Sequence, residues 1–376
     1  MRKLRWGILL SEVLLLILVF PALPVQAAPN LSSQYYCLVD GDSLQPILGK
    51  NADVPRQAAS TTKMMTAILA VEYGHLTEEA VVSKKAARTP EYTIGLCEGQ
   101  TISIQELLKA LLLRSSNDAA VVLAEHIAGD EDLFSWLMSK KAFAIGAMNT
   151  VYKNSSGLPD AGHYSTAYDL ARIGRYAMSK PEIKNLVGKA QVEFQHPGYL
   201  QPMTLNNTNK LITSYPGADG IKTGTANEAG KCLVGSASRG DRKLIAVVLK
   251  SDNRTGDCIS LFNYGFKQCQ RHKILDEKEC IKSIRLSGAE RKWVDVAPSR
   301  SVWIWQGDQA LNIEKEVTVN YQLQAPIQKG QPVGYLDLYI NNNLYDTVSL
   351  ISSENIDKEP GLIGKSLRLL LNSGKK

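Results

Sequence analysis

The 376-residue chain is poor in aromatic residues, 7% Phe, Trp and Tyr together, and has no basic run interleaved with them, so nucleic acid is not an expected partner. Its five histidines form neither an H-E-x-x-H nor an H-x-x-E-H pattern, which argues against a metal hydrolase. Neither a metal nor a cofactor is expected. The six cysteines, Cys37, Cys97, Cys232, Cys258, Cys269 and Cys280, lack the compact spacing of a disulfide framework. If Cys258 and Cys269 shared one helix, eleven residues of rise would hold them about 16 Å apart, too far to bridge. Buried free thiols are therefore expected. The apolar run nearest the start, Val13 to Phe20, is short for a bilayer span.

Residues 1–28 instead read as an export signal. Arg2, Lys3 and Arg5 precede the apolar run, and Val25-Gln26-Ala27 stands before Ala28. Glu12 is an atypical interruption. The remaining chain, about 350 residues, is long enough for one large core and a second, smaller domain. The net charge is +6, of which the signal supplies +2. That mild bias suits an anionic wall or membrane surface, and the protein is expected outside the cytoplasmic membrane, on its outer face or in the cell wall.

Two strands joined by a turn are expected at Tyr35 to Val39 and Leu44 to Leu48. After Pro55 the stretch Ala59-Ser60-Thr61-Thr62-Lys63-Met64-Met65 opens an apolar helix ending near Gly74, followed by a polar, irregular stretch to Gln100. Ser103-Ile104-Gln105-Glu106 is a capping-box pattern before the apolar helix Leu107 to Leu113. Arg114-Ser115-Ser116-Asn117-Asp118 breaks that pattern before a helix from Ala119 to Ala128, stopped by Gly129. Further helices follow over 131–190, with a loop at Asn154 to Pro159. Apolar runs at Cys232 to Ala237 and Leu244 to Leu249 flank a turn and imply antiparallel strands, with Lys222-Thr223-Gly224 on an adjoining strand. A helix is expected from Gly256 to Gln270. From about Lys273 the alternation of Val302-Trp303-Ile304-Trp305 and Val317-Thr318-Val319 suggests a small all-β sandwich domain. The boundaries expected are 29–273 for the larger domain and 274–358 for the β-domain. The tail, 359–376, places Ile363, Leu367, Leu370 and Leu371 at helical spacing, so it is either an amphipathic membrane contact or a docked or frayed end.

Ser60 and Lys63 carry the first chemical signal. A serine hydroxyl needs a neighbour to take its proton, and an i, i+3 lysine on a helix can reach it. The lysine can act only if burial and nearby positive charge keep its amine neutral. Ser115 and Asn117 have side chains suited either to an ordinary turn or to the edge of a cleft. On a strand, Lys222 and Thr223 offer donors to a carboxylate, while Gly224 permits close approach of a substrate backbone.

Taken together, S-x-x-K at Ser60, S-x-N at Ser115 and K-T-G at Lys222 resemble the motif set of β-lactamases and penicillin-binding proteins. The resemblance is to the low-molecular-mass penicillin-binding proteins that are serine-type D-alanyl-D-alanine carboxypeptidases. It extends to His163-Tyr164-Ser165-Thr166-Ala167, Gly217 to Gly224, Ala229 to Leu233, Asn263-Tyr264-Gly265-Phe266 and the C-terminal β-domain. It implies an α/β (α+β) fold, a penicillin-binding/β-lactamase-like antiparallel sheet flanked by helices. It further implies Ser60 as nucleophile, Lys63 as general base and Ser115 as proton relay. Asn117 would hold the substrate amide. Lys222 and Thr223 would bind the terminal carboxylate, with Arg254 adding charge there; Gly224 and Thr225 are the other substrate-binding residues, and the N–H groups of Ser60 and Thr225 would form an oxyanion hole. Thr225 stands where some relatives have histidine, and Ser116 where many have glycine.

The partners so implied are the peptidoglycan stem peptide and β-lactam antibiotics as covalent inhibitors. Class A β-lactamases also use a glutamate in an E-x-x-L-N context; Glu125, Glu131, Glu182 and Glu193 all lack it, so penicillin should leave Ser60 slowly. A D,D-endopeptidase, a β-lactamase-like hydrolase and a catalytically silent wall-binding protein remain alternatives.

Overall fold

The computed structural model describes residues 28–307 and 311–361. The expected leader up to residue 27 and the expected amphipathic tail from residue 362 lie outside the described residues.

A five-stranded antiparallel sheet organises the larger domain, in the order Pro46–Lys50, Tyr35–Asp40, Arg242–Ser251, Gly230–Arg239, Ala218–Ala226. Both faces of the sheet are covered, which is why its central strands read as continuous apolar runs rather than as an alternation. Successive residues nevertheless serve different cores. Cys37, Val39, Ile245, Val247 and Val234 pack with the helices Lys63–Tyr73, Asn117–Ala128 and Ala167–Met178. Leu38, Ala246, Val248 and Leu233 pack on Cys258, Leu261 and Phe262 of the helix Arg254–Gln268. The expected fold class is therefore the observed one.

The local elements depart from the sequence reading at five places. Ser60 is not in the α-helix: Ala59–Thr62 form a single 3-10 turn and the helix starts at Lys63. The stretch thought irregular contains the strand Glu79–Val81, paired with Thr101–Ser103, and the short helix Lys84–Ala87, capped by Ser83. The helix Ile104–Lys109 does begin at its Ser103 cap, but continues as a π-type turn over Ala110–Arg114 that ends with Ser115 at φ 66. The next helix starts at Asn117, two residues before the apolar pattern. The helix expected from Gly256 begins at Arg254, because the Asn253 side chain caps it by accepting from the Gly256 N–H at 3.1 Å.

All six cysteines are free. Cys37, Cys232, Cys258 and Cys269 are buried, but Cys97 and Cys280 are exposed, contrary to the expectation of buried thiols throughout. Both exposed residues lie in loops, where no apolar face draws them in.

The C-terminal domain is all β. Strand Gln270–Leu275, which spans the boundary expected at residue 273, pairs with Val302–Gln306. A five-stranded sheet, in the order Lys282–Arg285, Trp293–Pro298, Asn343–Ser352, Pro332–Ile340, Ile313–Val319, lies against this pair. The two sheets share a core that includes Leu275, Val302, Val296, Leu336 and Val348. Gln45 joins this domain to the larger one, donating to the Trp305 carbonyl at 2.5 Å and accepting from its N–H at 2.6 Å.

Candidate active site

The 3-10 turn Ala59–Thr62 packs against the edge strand Ala218–Ala226, with the S-x-N break between the two helices opposite. All nine residues singled out in the sequence meet there. Ser60 is half-buried and lies where two cavities join. The larger, about 690 Å³, is lined by Tyr92, Asn117, Gly157, Leu158 and Thr225 among others. The smaller, about 180 Å³, is lined by Ser115, Thr223, Gly224, Thr225 and Arg254.

Lys63 is fully buried, and its Nζ lies 2.9 Å from Ser60 Oγ, 2.6 Å from Asn117 Oδ1 and 2.6 Å from the Ser156 carbonyl. Burial, and after it the charge of Lys222, holds this amine well below the ordinary lysine value; Asp118 pulls weakly the other way. Two of the three partners are oxygens that can only accept. A neutral amine has two N–H bonds and one lone pair, so donating to Asn117 and Ser156 leaves the lone pair aimed at the Ser60 hydroxyl. The arrangement can therefore take a proton from Ser60.

Lys222 Nζ donates to Ser115 Oγ at 2.9 Å and to the Thr223 carbonyl at 3.1 Å. Burial first, then Arg254, pushes its amine down to about 7. Arg254 Nη1 donates to the Gly224 carbonyl and to Thr225 Oγ1, each at 2.8 Å. The small cavity thus collects one guanidinium and the hydroxyls of Ser115, Thr223 and Thr225, with the buried Lys222 amine bonded to Ser115 behind it, a set that fits a carboxylate.

Gly224 differs from its expected use. The backbone that approaches it is the chain's own: a β-carbon there would stand 3.0 Å from the Ala58 carbonyl oxygen and 3.1 Å from the Ser60 nitrogen. Asn117 has partners on both sides. Its Nδ2, expected to hold a substrate amide, donates to the Pro90 and Glu91 carbonyls at 3.1 and 3.3 Å, and its Oδ1 serves Lys63.

Three contributors were not found in the sequence. Ser156 acts through its main-chain carbonyl, which carries no side-chain signal. Thr208 shares a hydrogen bond with Thr223 across 2.9 Å, and nothing in its surroundings marks it. Asp118 reads as a turn residue, yet its buried carboxylate accepts the N–H groups of Ile94, Gly95 and Leu96 and the Ser116 hydroxyl. It thereby pins the 90–96 loop, whose Tyr92 lines both cavities together with Ser60. Its position directly after S-x-N was the one available clue. Among the described residues, no three His, Cys, Asp or Glu side chains converge as a metal site requires.

Comparison with known proteins bears on this geometry. A family model described as D-alanyl-D-alanine carboxypeptidase matches residues 24–253, and one described as penicillin-binding protein 5, C-terminal domain, matches residues 270–358. The chain is 30% identical over 331 residues to the D-alanyl-D-alanine carboxypeptidase DacF of Bacillus subtilis (strain 168), covering 85% of each. It is 31% identical over 364 residues to the D-alanyl-D-alanine carboxypeptidase DacC of Escherichia coli (strain K12), covering 92% of this chain and 89% of that one. The crystal structure of penicillin binding protein 5 from Haemophilus influenzae superposes with a TM-score of 0.70 at 26% identity, covering 89% of this chain and all (100%) of that one.

Proposed function

The chain belongs to the family of serine-type D-alanyl-D-alanine carboxypeptidases, and from that premise we propose which of its groups perform each step. The observation that carries the assignment is the buried Lys63 amine, 2.9 Å from Ser60 Oγ and held there by two fixed acceptors.

The terminal carboxylate of the substrate enters the small cavity and meets Lys222 as ammonium, the hydroxyls of Thr223 and Thr225, and Arg254 behind them. Ser60 Oγ attacks the carbonyl of the penultimate D-alanine, and its proton passes to Lys63 Nζ. The Ser60 and Thr225 N–H groups receive the negative charge that develops on the carbonyl oxygen. The C–N bond then breaks, and the leaving D-alanine nitrogen takes, through the Ser115 hydroxyl, the proton that Lys63 had received, which leaves Lys63 a neutral amine again. An ester on Ser60 remains. Water attacks it, giving a proton to the amine of Lys63, and the serine is restored as the proton returns to Oγ. Asn117 serves chiefly to orient Lys63 and to hold the 90–91 backbone.

The substrate is the peptidoglycan stem pentapeptide, and β-lactams acylate the same serine. Both readings are supported by membership of the family and by a site suited to hold a carboxylate next to an amide under attack. The leader pattern at residues 1–28 supports export, with action at the outer face of the cytoplasmic membrane or in the wall; the spacing of Ile363, Leu367, Leu370 and Leu371 suits a peripheral membrane contact of the tail as well as a docked or frayed end.

The test is D-alanine release from diacetyl-L-lysyl-D-alanyl-D-alanine by the protein and by Ser60→Ala. Release by the first alone is the expected outcome. Release by both would remove Ser60 from the mechanism, and release by neither would overturn the carboxypeptidase assignment of these groups.

A further inference from the structure

The stretch His163-Tyr164-Ser165-Thr166-Ala167 contributes no group to either cavity, yet it is tied to both flanks of the nucleophile. Ser165 exchanges backbone hydrogen bonds with Arg56 at 2.8 and 2.9 Å, just before the turn. Tyr164 does the same with Val151 at 2.9 and 3.0 Å, at the start of the segment that leads to Ser156. Thr166 caps the next helix by accepting from the Asp169 N–H.

His163 completes the connection with its side chain. The ring is buried and stands edge-on to Tyr152, with centroids 5.5 Å apart. The Lys153 N–H donates to its Nδ1 at 3.3 Å, so that nitrogen carries no proton. The proton is therefore on Nε2, which donates to Thr62 Oγ1 at 2.9 Å. Thr62 is the residue immediately before Lys63 in the turn that holds Ser60. Lys153 begins the loop whose Ser156 carbonyl accepts from Lys63. One neutral imidazole thus spans the two backbone segments that fix the Lys63 amine.

The fit between those segments is close. Gly157, at φ +83, lies so near the turn that a β-carbon would stand 2.1 Å from the Ala59 carbonyl oxygen and 2.8 Å from Thr62 Oγ1. A shift of the loop would be passed directly to the turn.

We infer that His163 is a positioning residue of the acylation step, acting through Thr62 and the Lys153–Ser156 loop to keep the Lys63 lone pair on the Ser60 hydroxyl. This rests on the reading of Ser60 and Lys63 given above. Burial pushes the imidazole down to about 4, which keeps the ring neutral above that pH, with one nitrogen free to accept and the other to donate. Without the ring, the loop is free to move and the Ser156 carbonyl no longer fixes one N–H of Lys63. The amine then keeps its place in the chain but loses its direction, and water can replace the carbonyl.

The experiment follows acylation of the full-length protein by a fluorescent penicillin in rapid-mixing kinetics, separating non-covalent affinity from the rate constant at saturation. Wild type, Ser60→Ala, His163→Ala and His163→Gln are compared, each with its thermal midpoint. Glutamine offers one donor and one acceptor side by side, as the two ring nitrogens do. His163→Ala should lower the saturating rate constant about 10- to 100-fold, the cost of misplacing a reacting group by the order of an ångström. Affinity should change little. The acidic limb of its pH–rate profile should move to higher pH as Lys63 becomes better hydrated, and His163→Gln should recover most of the rate.

A rate constant and limb unchanged in His163→Ala would overturn the inference. So would equal losses in both variants that merely follow the thermal midpoint with the limb unmoved, since that marks a packing residue. If wild type fails to label, or Ser60→Ala labels equally, the reading of the site itself fails and the inference falls with it; these results are distinct from any difference between the His163 variants.

Discussion

The α-carbon of Gly224 lies against the main chain of Ser60, close enough that a methyl group on it would stand 3.1 Å from the Ser60 nitrogen. The glycine of K-T-G is therefore a steric condition on the nucleophile's own turn. Gly224→Ala should leave the protein folded, at a cost of about 1–3 kcal/mol for overpacking. It should lower kcat/KM for D-alanine release by about 100-fold, because the added methyl crowds an oxyanion donor and displaces Ser60. Parallel measurement of the thermal midpoint and of D-alanine release checks this.

Arg254 should set the alkaline limb of activity. In the proposed mechanism Lys222 binds the substrate carboxylate as ammonium, so kcat/KM should fall as pH rises through about 7, the value to which burial and Arg254 push the amine. Removing the guanidinium removes a charge that lowers that value. In Arg254→Gln the limb should therefore move to higher pH even as kcat/KM at its plateau drops about 10-fold, the loss expected for a charge-assisted contact to the substrate side. A pH–rate profile of both proteins decides it; a limb unmoved would mean that Lys222 is not the titrating group.

Asp118 holds the roof of the cleft. Its carboxylate accepts three consecutive backbone N–H groups, at 3.1 Å from Ile94, 3.1 Å from Gly95 and 3.2 Å from Leu96. Asp118→Asn puts a donor among these donors and should destabilise the protein by about 1–3 kcal/mol. The urea midpoint should fall with the slope unchanged. Proteolysis should cut first within residues 90–97, and a cut elsewhere would contradict the anchoring role.

The penicilloyl ester on Ser60 should be long-lived. Glu131, a glutamate between S-x-N and K-T-G, is committed elsewhere: it accepts from Ser155 N at 3.0 Å and Ser155 Oγ at 2.6 Å, and pairs with Lys85 at 2.8 Å. It is not free to activate a water. Intact-mass measurement after removal of excess penicillin should show the adduct persisting over many turnovers of the peptide substrate. Rapid loss of the added mass would point to a β-lactamase-like activity.

The sequence by itself determined the chemistry and the class of fold. Ser60 and Lys63 are local, three residues apart, and almost any tight right-handed turn brings such a pair together. The apolar runs at Leu244 to Leu249 and Cys232 to Ala237 required strands buried on both faces. What joins Ser60 to Ser115 and Lys222 is different in kind. The links, Lys63 to Asn117 and Lys222 to Ser115, cross 54 and 107 residues, and depend on how a π-type turn, a left-handed Ser115 and a sheet edge meet. The sequence also placed Ser60 in an α-helix, because propensity distinguishes poorly between an α-turn and a 3-10 turn. The Ser156 carbonyl, the Asp118 anchor and the His163 bridge were hidden for one shared reason. Ser156 works through a main-chain carbonyl that every residue carries alike, while Asp118 and His163 use side chains on backbone N–H groups and on the Thr62 hydroxyl, partners that only packing brings to them. Only the tertiary structure selects those partners.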